Sequence, residues 1–244
     1  IFEGTENAFI PHLVPNAFAD SIVTPSFSTK DFGKKQITIN GSSELADLRS
    51  NWFLPDIKVL EKLGLQLGEK FSILRFVGWT ANHDIGHNGL TRENKIKAVE
   101  LFSHYGKVFI TSECELPQEL EQFKLKINPS DAHSLMYYAS LMYGESASMA
   151  AEASYLGTPS IFIDNLGRGY TDELSKFGLL FHFSESKPDQ AMSIAKGVEI
   201  LNDTEVDWKG KLSKLVEDKI DVAQFMNWFV MNYPNSKKEM LDKQ

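Results

Sequence analysis

Short apolar runs alternate with amphipathic segments between residues 71 and 183. Each run is rich in apolar residues for its length, which predicts strands. These strands are expected at residues 71–79, 107–111, 125–128, 141–143, 160–164 and 179–183. The segments between them carry apolar residues at helical spacing, at residues 91–105, 118–123, 130–140, 148–156 and 171–177. Strands that alternate with helices through short connections predict an α/β fold with a doubly wound parallel sheet.

The N-terminal part of the chain has a different pattern. Residues 19–24 and 36–39 are two further candidate strands. The stretch 41–56 is polar and is broken by Pro55, which places a domain boundary near residue 50. The chain opens with Ile1 in an apolar stretch rather than with methionine, so we expect the protein to continue upstream.

The C-terminal part is predicted to be helical. Residues 187–201 form one helix, and residues 206–233 are largely helical as well. The apolar face made by Phe225, Trp228 and Phe229 is interpreted as core packing rather than as a platform for a ligand.

Composition and charge narrow the function classes. The formal net charge of −8 disfavours general binding to nucleic acid, although backbone amides can still hold a phosphate locally. No apolar run approaches the ~18 residues that span a bilayer, and no secretory signal is visible, so no membrane span is expected. The single cysteine, Cys114, is expected to be a small buried residue, and the absence of any internal disulfide predicts a reducing, cytoplasmic location.

The stretch from residue 143 to residue 163 carries the clearest chemistry. A strand ends at Gly144, and small residues, Ser146, Ala147 and Ser148, then open a helix. The unpaired amides and the dipole of such a helix end favour an anion, and small side chains let the anion approach. Glu152 follows one turn later on the same face, where its carboxylate can accept hydrogen bonds from ribose hydroxyls. The alternative is that Ser146 only caps the helix and that Glu152 is a solvated helical residue.

This stretch resembles the nucleotide-binding segment of UDP-N-acetylglucosamine 2-epimerases and related GT-B enzymes. Their pattern is a serine, two glycines, three variable residues, a glutamate and then a Leu-Gly-x-Pro turn. Here Ser146, Ala147, Ser148, Glu152 and residues 156–159 occupy the matching places. The resemblance implies that the small residues contact the diphosphate of a nucleotide-sugar, UDP-linked in the family, and that Glu152 holds the ribose. Ala147 and Ser148 replace the two glycines, which would narrow the pocket or shift the phosphates.

A neighbouring family of unknown function is a closer match and covers the whole chain. The likeness includes residues 76–89, the helix from Asp131 with its His133, and the tail at residues 225–234. It implies that about a hundred residues of a first Rossmann-like domain precede Ile1. The expected organisation has three parts: the end of the first domain and its linker at 1–50, the Rossmann-like nucleotide-binding domain (the GT-B C-terminal domain) at 51–205, and helices packing back toward the first domain at 206–244.

His83 is a candidate catalytic residue in the loop that follows the first strand of the nucleotide-binding domain. An imidazole there can contact phosphate or act as an acid–base group, or it can simply form hydrogen bonds within its own loop. The four-residue spacing of His83 and His87 also admits a metal ion, but the loop contains glycine and shows no third ligand, so no metal is expected. The resembling epimerases carry a His-Arg-Arg-Glu-Asn motif in this loop, which this chain does not reproduce.

Three further residues complete the candidate site. Glu6 and Glu3 match the segment in which the resembling epimerases keep an acid–base carboxylate, although either can instead cap a helix that begins near Asn7. Arg168 lies in the glycine-bearing loop after the 160–164 strand and is a candidate ligand for phosphate or sugar, or else a surface arginine.

Two functions follow from these residues and the resemblance. The first is an enzyme that acts on a nucleotide-sugar, either a glycosyltransferase or an epimerase-like enzyme, with no separate cofactor. The second is a non-catalytic protein that keeps the nucleotide grip as a sensor or scaffold, which the missing histidine motif favours. Epimerase-like relatives often pair, so a homodimer is also expected.

Overall fold

Two parallel sheets organise the part of the chain that the computed structural model describes, residues 1–4, 15–78 and 88–243. The smaller sheet pairs β1 (Ile22–Pro25) with β2 (Gln36–Ile39). The larger sheet has the strand order β4-β3-β5-β6-β7, and all its neighbouring strands are parallel. Its strands are β3 (Phe71–Phe76), β4 (Lys107–Ser112), β5 (Leu141–Gly144), β6 (Ser160–Ile163) and β7 (Leu180–Phe183).

Helices cover both faces of the larger sheet and bury it. They are α1 (Lys58–Lys62), α2 (Arg92–Ser103), α3 (Ala132–Tyr138), α4 (Ala147–Tyr155), α5 (Gly169–Lys176), α6 (Lys187–Asn202) and α7 (Trp208–Glu217). Two further helices, α8 (Val222–Met231) and α9 (Asn235–Asp242), follow along the chain. One apolar cluster joins the sheet to α1, α3, α4, α5 and α7, and a second joins its other face to α2 and α6. The predicted α/β fold with a doubly wound parallel sheet is therefore confirmed.

The strand predicted at residues 125–128 is wrong. Only Lys124 bridges to Ile110, and the Leu125 amide donates to the Ile110 carbonyl at 2.8 Å. Asn128 then caps a short 3₁₀ helix, Pro129–Asp131, so the segment turns away before a strand can form. The apolar residues Leu125 and Ile127 pack against the core instead.

The expectation for Cys114 is also wrong. This residue is exposed and has a free thiol. It follows β4 on the connection to the 3₁₀ helix Gln118–Phe123, and the hydroxyl of Ser112 accepts a hydrogen bond from its amide at 3.2 Å. Because Cys114 lies in a connecting segment and not in a strand or helix, its side chain does not have to pack in the core.

The small sheet packs against the last two helices. Val23, Ile37 and Ile39 from β1 and β2 share an apolar cluster with Val222 and Phe229 of α8, and side chains of α9 pack against the same cluster. The two ends of the chain therefore enclose one core. In the described ranges no helix combines the length and apolar character needed to cross a membrane.

A buried lysine fastens this part of the molecule to the larger sheet. Lys219, with 5% of its side chain exposed, donates to the Asn40 side chain at 2.7 Å and pairs with Glu173 of α5 at 2.5 Å. Buried charges are stable only when they are paired in this way. The segment Ser43–Leu45, which follows β2, also packs directly against α4.

Candidate functional site

The strand order opens a crevice beside the ends of β3 and β5. After β3 the chain crosses to α2 on one face, whereas after β5 it crosses to α4 on the other face. Two connections that leave adjacent strands toward opposite faces form the crevice in which doubly wound sheets bind ligands. Residues 146–148 lie at this point of the fold.

The first turn of α4 is accessible. Ser146 caps the helix, and its hydroxyl accepts a hydrogen bond from the Met149 amide at 3.4 Å. Ser148 is exposed, and no described residue accepts a hydrogen bond from the amides of Ala147 and Ser148. Ser146 is thus a cap, and the positive end of the helix remains available to an anion.

Gly144 brings this turn close to β3. Its φ is +152°, and a Cβ atom at this position would lie 2.1 Å from the carbonyl oxygen of Arg75. The Glu145 amide donates to that same oxygen at 3.0 Å. Glycine is the residue that tolerates both the backbone conformation and the close approach, so it fixes where α4 starts relative to β3.

Glu145, which the sequence analysis did not single out, places a buried carboxylate in the crevice. It is 3% exposed, and its two oxygens accept hydrogen bonds from the amides of Val77 at 2.8 Å and Leu90 at 2.5 Å. Lys95 Nζ lies 3.6 Å from the same carboxylate. Val77 and Leu90 stand at the two ends of the connection from β3 to α2, so Glu145 ties both ends of that connection to the start of α4.

Two other carboxylates hold the same connection. Glu185, after β7, accepts hydrogen bonds from the amides of Asn88 at 2.7 Å and Gly89 at 3.0 Å. Glu113, after β4, accepts one from the Gly78 amide at 3.3 Å. Charged acceptors make stronger hydrogen bonds than neutral ones, so the ends of this connection are firmly placed at the carboxyl edge of the sheet.

Replacing Glu145 with alanine should lower the free energy of unfolding by about 2–4 kcal/mol, because it removes two hydrogen bonds to a charged group and leaves the buried Leu90 amide without its acceptor. Urea denaturation monitored by circular dichroism measures this loss. Glu145→Gln keeps a single acceptor oxygen and should fall between the wild type and the alanine variant. A midpoint for Glu145→Ala equal to that of the wild type would contradict the assigned role.

Glu152 projects from α4 one turn beyond Ser148 and meets His133 of α3. Its Oε2 lies 3.4 Å from His133 Nε2, and its side chain remains 28% exposed. Burial raises the pKa of the Glu152 carboxyl above its ordinary value, the charge and hydrogen bonding of His133 oppose that rise, and Asp47 and Glu44 add to it. The carboxylate is therefore half-buried, accessible and oriented by a histidine.

An apolar cavity of about 280 Å³ adjoins Met149 in the first turn of α4. Arg75 of β3 and Thr111 of β4 are register partners that line it. Arg75 Nε and Thr111 Oγ1 are buried and have no hydrogen-bond partner among the described residues. Buried polar atoms in proteins almost always have a partner, so these two atoms are exceptions beside the cavity.

The structure buries Glu3 beside the small sheet. Glu3 is 3% exposed, and its Oε2 accepts a hydrogen bond from Asn16 Nδ2 at 3.2 Å. The next residue, Gly4, lies against Ser43, since a Cβ added to it would be 2.5 Å from the Ser43 hydroxyl oxygen. Glu3 is thus adjacent to the segment that packs on α4. Glu6 lies outside the described residues.

Arg168 is engaged close to its own loop. Its Nη1 lies 3.0 Å from the Asp164 carboxylate and also donates to the Leu166 carbonyl, and its guanidinium stands 5.7 Å from the centre of the Phe162 ring. A guanidinium with these partners first serves to hold the loop after β6. Arg168 could contact a ligand only through the guanidinium N–H groups that these partners leave unused.

His83 and His87 lie outside the described residues, so the structure provides no geometry for them. Within the parts of the chain that are described, no three His, Cys, Asp or Glu side chains are grouped so that they could hold a metal ion.

Solved structures of known proteins share this architecture. A protein from Listeria monocytogenes assigned as a UDP-N-acetylglucosamine 2-epimerase superposes with a TM-score of 0.58 at 14% identity, over 89% of this chain and 60% of that one. S. aureus MnaA in complex with UDP gives a TM-score of 0.58 at 14% identity, over 92% and 62% of the two chains. Os79 from O. sativa, in complex with UDP and deoxynivalenol-3-glucoside, gives a TM-score of 0.52 at 12% identity, over 85% of this chain and 52% of that one.

These likenesses establish the fold, which is the Rossmann-like fold of GT-B proteins. The chain spans less than two thirds of the length of each of these proteins. No curated protein matches it. The family model described as "Protein of unknown function (DUF354)" matches residues 7–167, more than half of the chain, and the chain therefore belongs to that family.

Proposed function

We propose that this chain is the nucleotide-binding part of an enzyme that acts on a nucleotide-sugar. The observation that carries the proposal is the accessible helix end of α4 at the switch point of the sheet, with Glu152 one turn away and a cavity with unsatisfied polar atoms beside it. Two structurally similar proteins hold UDP, which supports the same ligand class here.

The diphosphate would lie against the first turn of α4. The amides of Ala147 and Ser148 would donate to its oxygens, and the hydroxyl of Ser148 can add a further hydrogen bond. Preorganised dipoles of this kind bind negative charge without any lysine, and they bind it more tightly as charge accumulates on a leaving diphosphate. This is how the site would assist cleavage of the bond between sugar and diphosphate.

The nucleoside would extend from the diphosphate along α4. The ribose hydroxyls would donate to the Glu152 carboxylate, and the base would enter the cavity beside Met149. The cavity is lined mainly by apolar side chains, so the flat ring of a pyrimidine such as uracil would pack against them.

The reaction itself is either glycosyl transfer or epimerisation. A transferase needs the anion site and an acceptor in the crevice. An epimerase also needs carboxylates for proton transfer and for elimination of the nucleotide, and Glu3 and Glu6 are the candidates, with His83 as an acid–base or phosphate-contacting group. Glu3 is buried against Asn16, so it would act only if the sugar reaches it.

Calorimetric titration with UDP, CDP, GDP and pyrophosphate tests the binding proposal. Glu152→Ala is expected to weaken UDP binding by about tenfold to a hundredfold, because two hydroxyl hydrogen bonds to a charged acceptor are lost, whereas pyrophosphate binding should change little. Glu100→Ala, which removes an exposed glutamate of α2, is the control and should bind as the wild type does. Equal losses for UDP and pyrophosphate would refute the ribose assignment.

A non-catalytic sensor or scaffold is the second candidate, because the histidine motif of the resembling epimerases is missing. The two functions are separated by incubating the full-length protein with UDP-sugars and following UDP release and sugar configuration. Binding without turnover, unaffected by His83→Ala, would favour the sensor.

A further inference from the structure

We propose that His133 is a positioning residue that fixes the Glu152 carboxylate for ribose binding. This inference rests on the proposed nucleotide site and extends it to a residue with no assigned role. It would make the affinity for a ribose-containing ligand depend on His133 without changing the affinity for its phosphates.

The geometry places His133 between a support and the carboxylate. The rings of His133 and Phe53 pack edge to face, with a centroid distance of 6.0 Å and an interplanar angle of 88°. From there Nε2 reaches Glu152 Oε2 at 3.4 Å, and α3 packs against α4 along this contact. One oxygen of the Glu152 carboxylate, Oε2, is thereby held by His133.

Charge explains why Glu152 needs such a partner. Asp47 and Glu44 both act on its carboxyl through their negative charges, and His133 is the group that opposes them. Glu44 is held in place because its carboxylate accepts hydrogen bonds from the hydroxyls of Ser42 and Ser43. Without His133, burial and the two acidic neighbours would raise the pKa of the Glu152 carboxyl further, and a protonated carboxyl accepts hydrogen bonds from hydroxyls poorly.

The sign of the pH dependence follows from the same groups. Burial already holds the pKa of Glu152 above its ordinary value. Ribose binding requires the ionised form, so affinity is present above this pKa and is lost as the pH falls through it. Removing His133 removes an opposing influence, the pKa rises further, and the loss of affinity moves to higher pH.

Calorimetric titrations of wild type, His133→Ala and His133→Gln with UDP, 2′-deoxy-UDP and pyrophosphate test the proposal over a range of pH. His133→Ala should weaken UDP binding about tenfold, since one oriented hydrogen bond between ribose and a charged group is worth roughly that factor. Pyrophosphate affinity should stay the same, the preference for UDP over 2′-deoxy-UDP should shrink, and the pH profile should shift upward. His133→Gln, whose amide nitrogen can replace Nε2 as a donor, should recover most of the affinity.

Three results would overturn the proposal. Unchanged UDP binding in His133→Ala would show that Glu152 needs no partner. Equal weakening of UDP and pyrophosphate, with glutamine no better than alanine, would show that His133 only stabilises the fold. Pyrophosphate binding by the wild type without any preference for UDP over 2′-deoxy-UDP would show that Glu152 does not bind the ribose. A separate outcome, in which the wild type binds neither UDP nor pyrophosphate, would refute the proposed function itself.

Discussion

Replacing Ser148 with aspartate is expected to lower UDP affinity by more than about a hundredfold while leaving the fold at least as stable. Ser148 is exposed in the first turn of α4, where a carboxylate interacts favourably with the helix dipole and contributes about 0.3–1 kcal/mol to stability. The same carboxylate would repel a bound diphosphate. Two unit charges about 4 Å apart near a protein surface repel by roughly 4 kcal/mol, which exceeds the ~2.7 kcal/mol that corresponds to a hundredfold loss of affinity.

Calorimetry with UDP and urea denaturation measure the two effects of Ser148→Asp separately. Ser213→Asp adds the same charge to an exposed serine of α7, a helix whose Lys209 packs on Gly157 at the opposite end of α4, and should leave binding unchanged. Ser148→Ala separates loss of the hydroxyl from gain of charge. Wild-type UDP affinity in Ser148→Asp would show that no anion binds at this helix end.

Replacing Gly144 with alanine is expected to cause the largest loss of stability, at least about 3 kcal/mol. The new Cβ would lie 2.1 Å from the Arg75 carbonyl oxygen, which belongs to the backbone and cannot move aside as a side chain can. Relief requires β5 to separate from β3, and that separation also disturbs Glu145 and the start of α4.

The control for Gly144→Ala is Gly64→Ala. Gly64 also has a positive φ, +61°, but nothing lies within 4 Å of its added Cβ. This variant bears only the cost of the backbone conformation, about 1–2 kcal/mol. If urea denaturation gave equal losses of unfolding free energy for the two variants, the close contact with the Arg75 carbonyl would have no effect on stability.

The sheet was predictable because its strands leave a strong pattern. Strands buried on both faces, such as residues 160–163, need consecutive apolar residues, and a parallel sheet follows from the helices between them. The segment 125–128 shows the limit of this reasoning. Leu125 and Ile127 alternate with polar residues, as apolar residues do in an edge strand, but they pack against the core from a loop. The alternating pattern does not distinguish an edge strand from such a loop.

The turn that we propose as the anion site was recognisable in the sequence because its residues are contiguous. The contacts around it were not, because they join distant residues. The Glu145 carboxylate binds backbone amides 68 and 55 residues away. Almost every residue has a backbone amide, so the sequence does not show which amides a carboxylate will bind. The pairing of His133 with Glu152 depends on the relative rotation of two packed helices, which apolar spacing alone does not determine.

The shared core at the two chain ends has a practical consequence for anyone shortening the protein. A stop codon placed before Val222 would remove the helices that pack on Val23, Ile37 and Ile39. These apolar side chains of the small sheet would then be exposed to solvent and would promote aggregation. A version trimmed at the C-terminus would therefore also have to be trimmed at the N-terminus. The segment Ser43–Leu45, which packs on α4, would then be lost or exposed, although it lies far from the cut in the sequence.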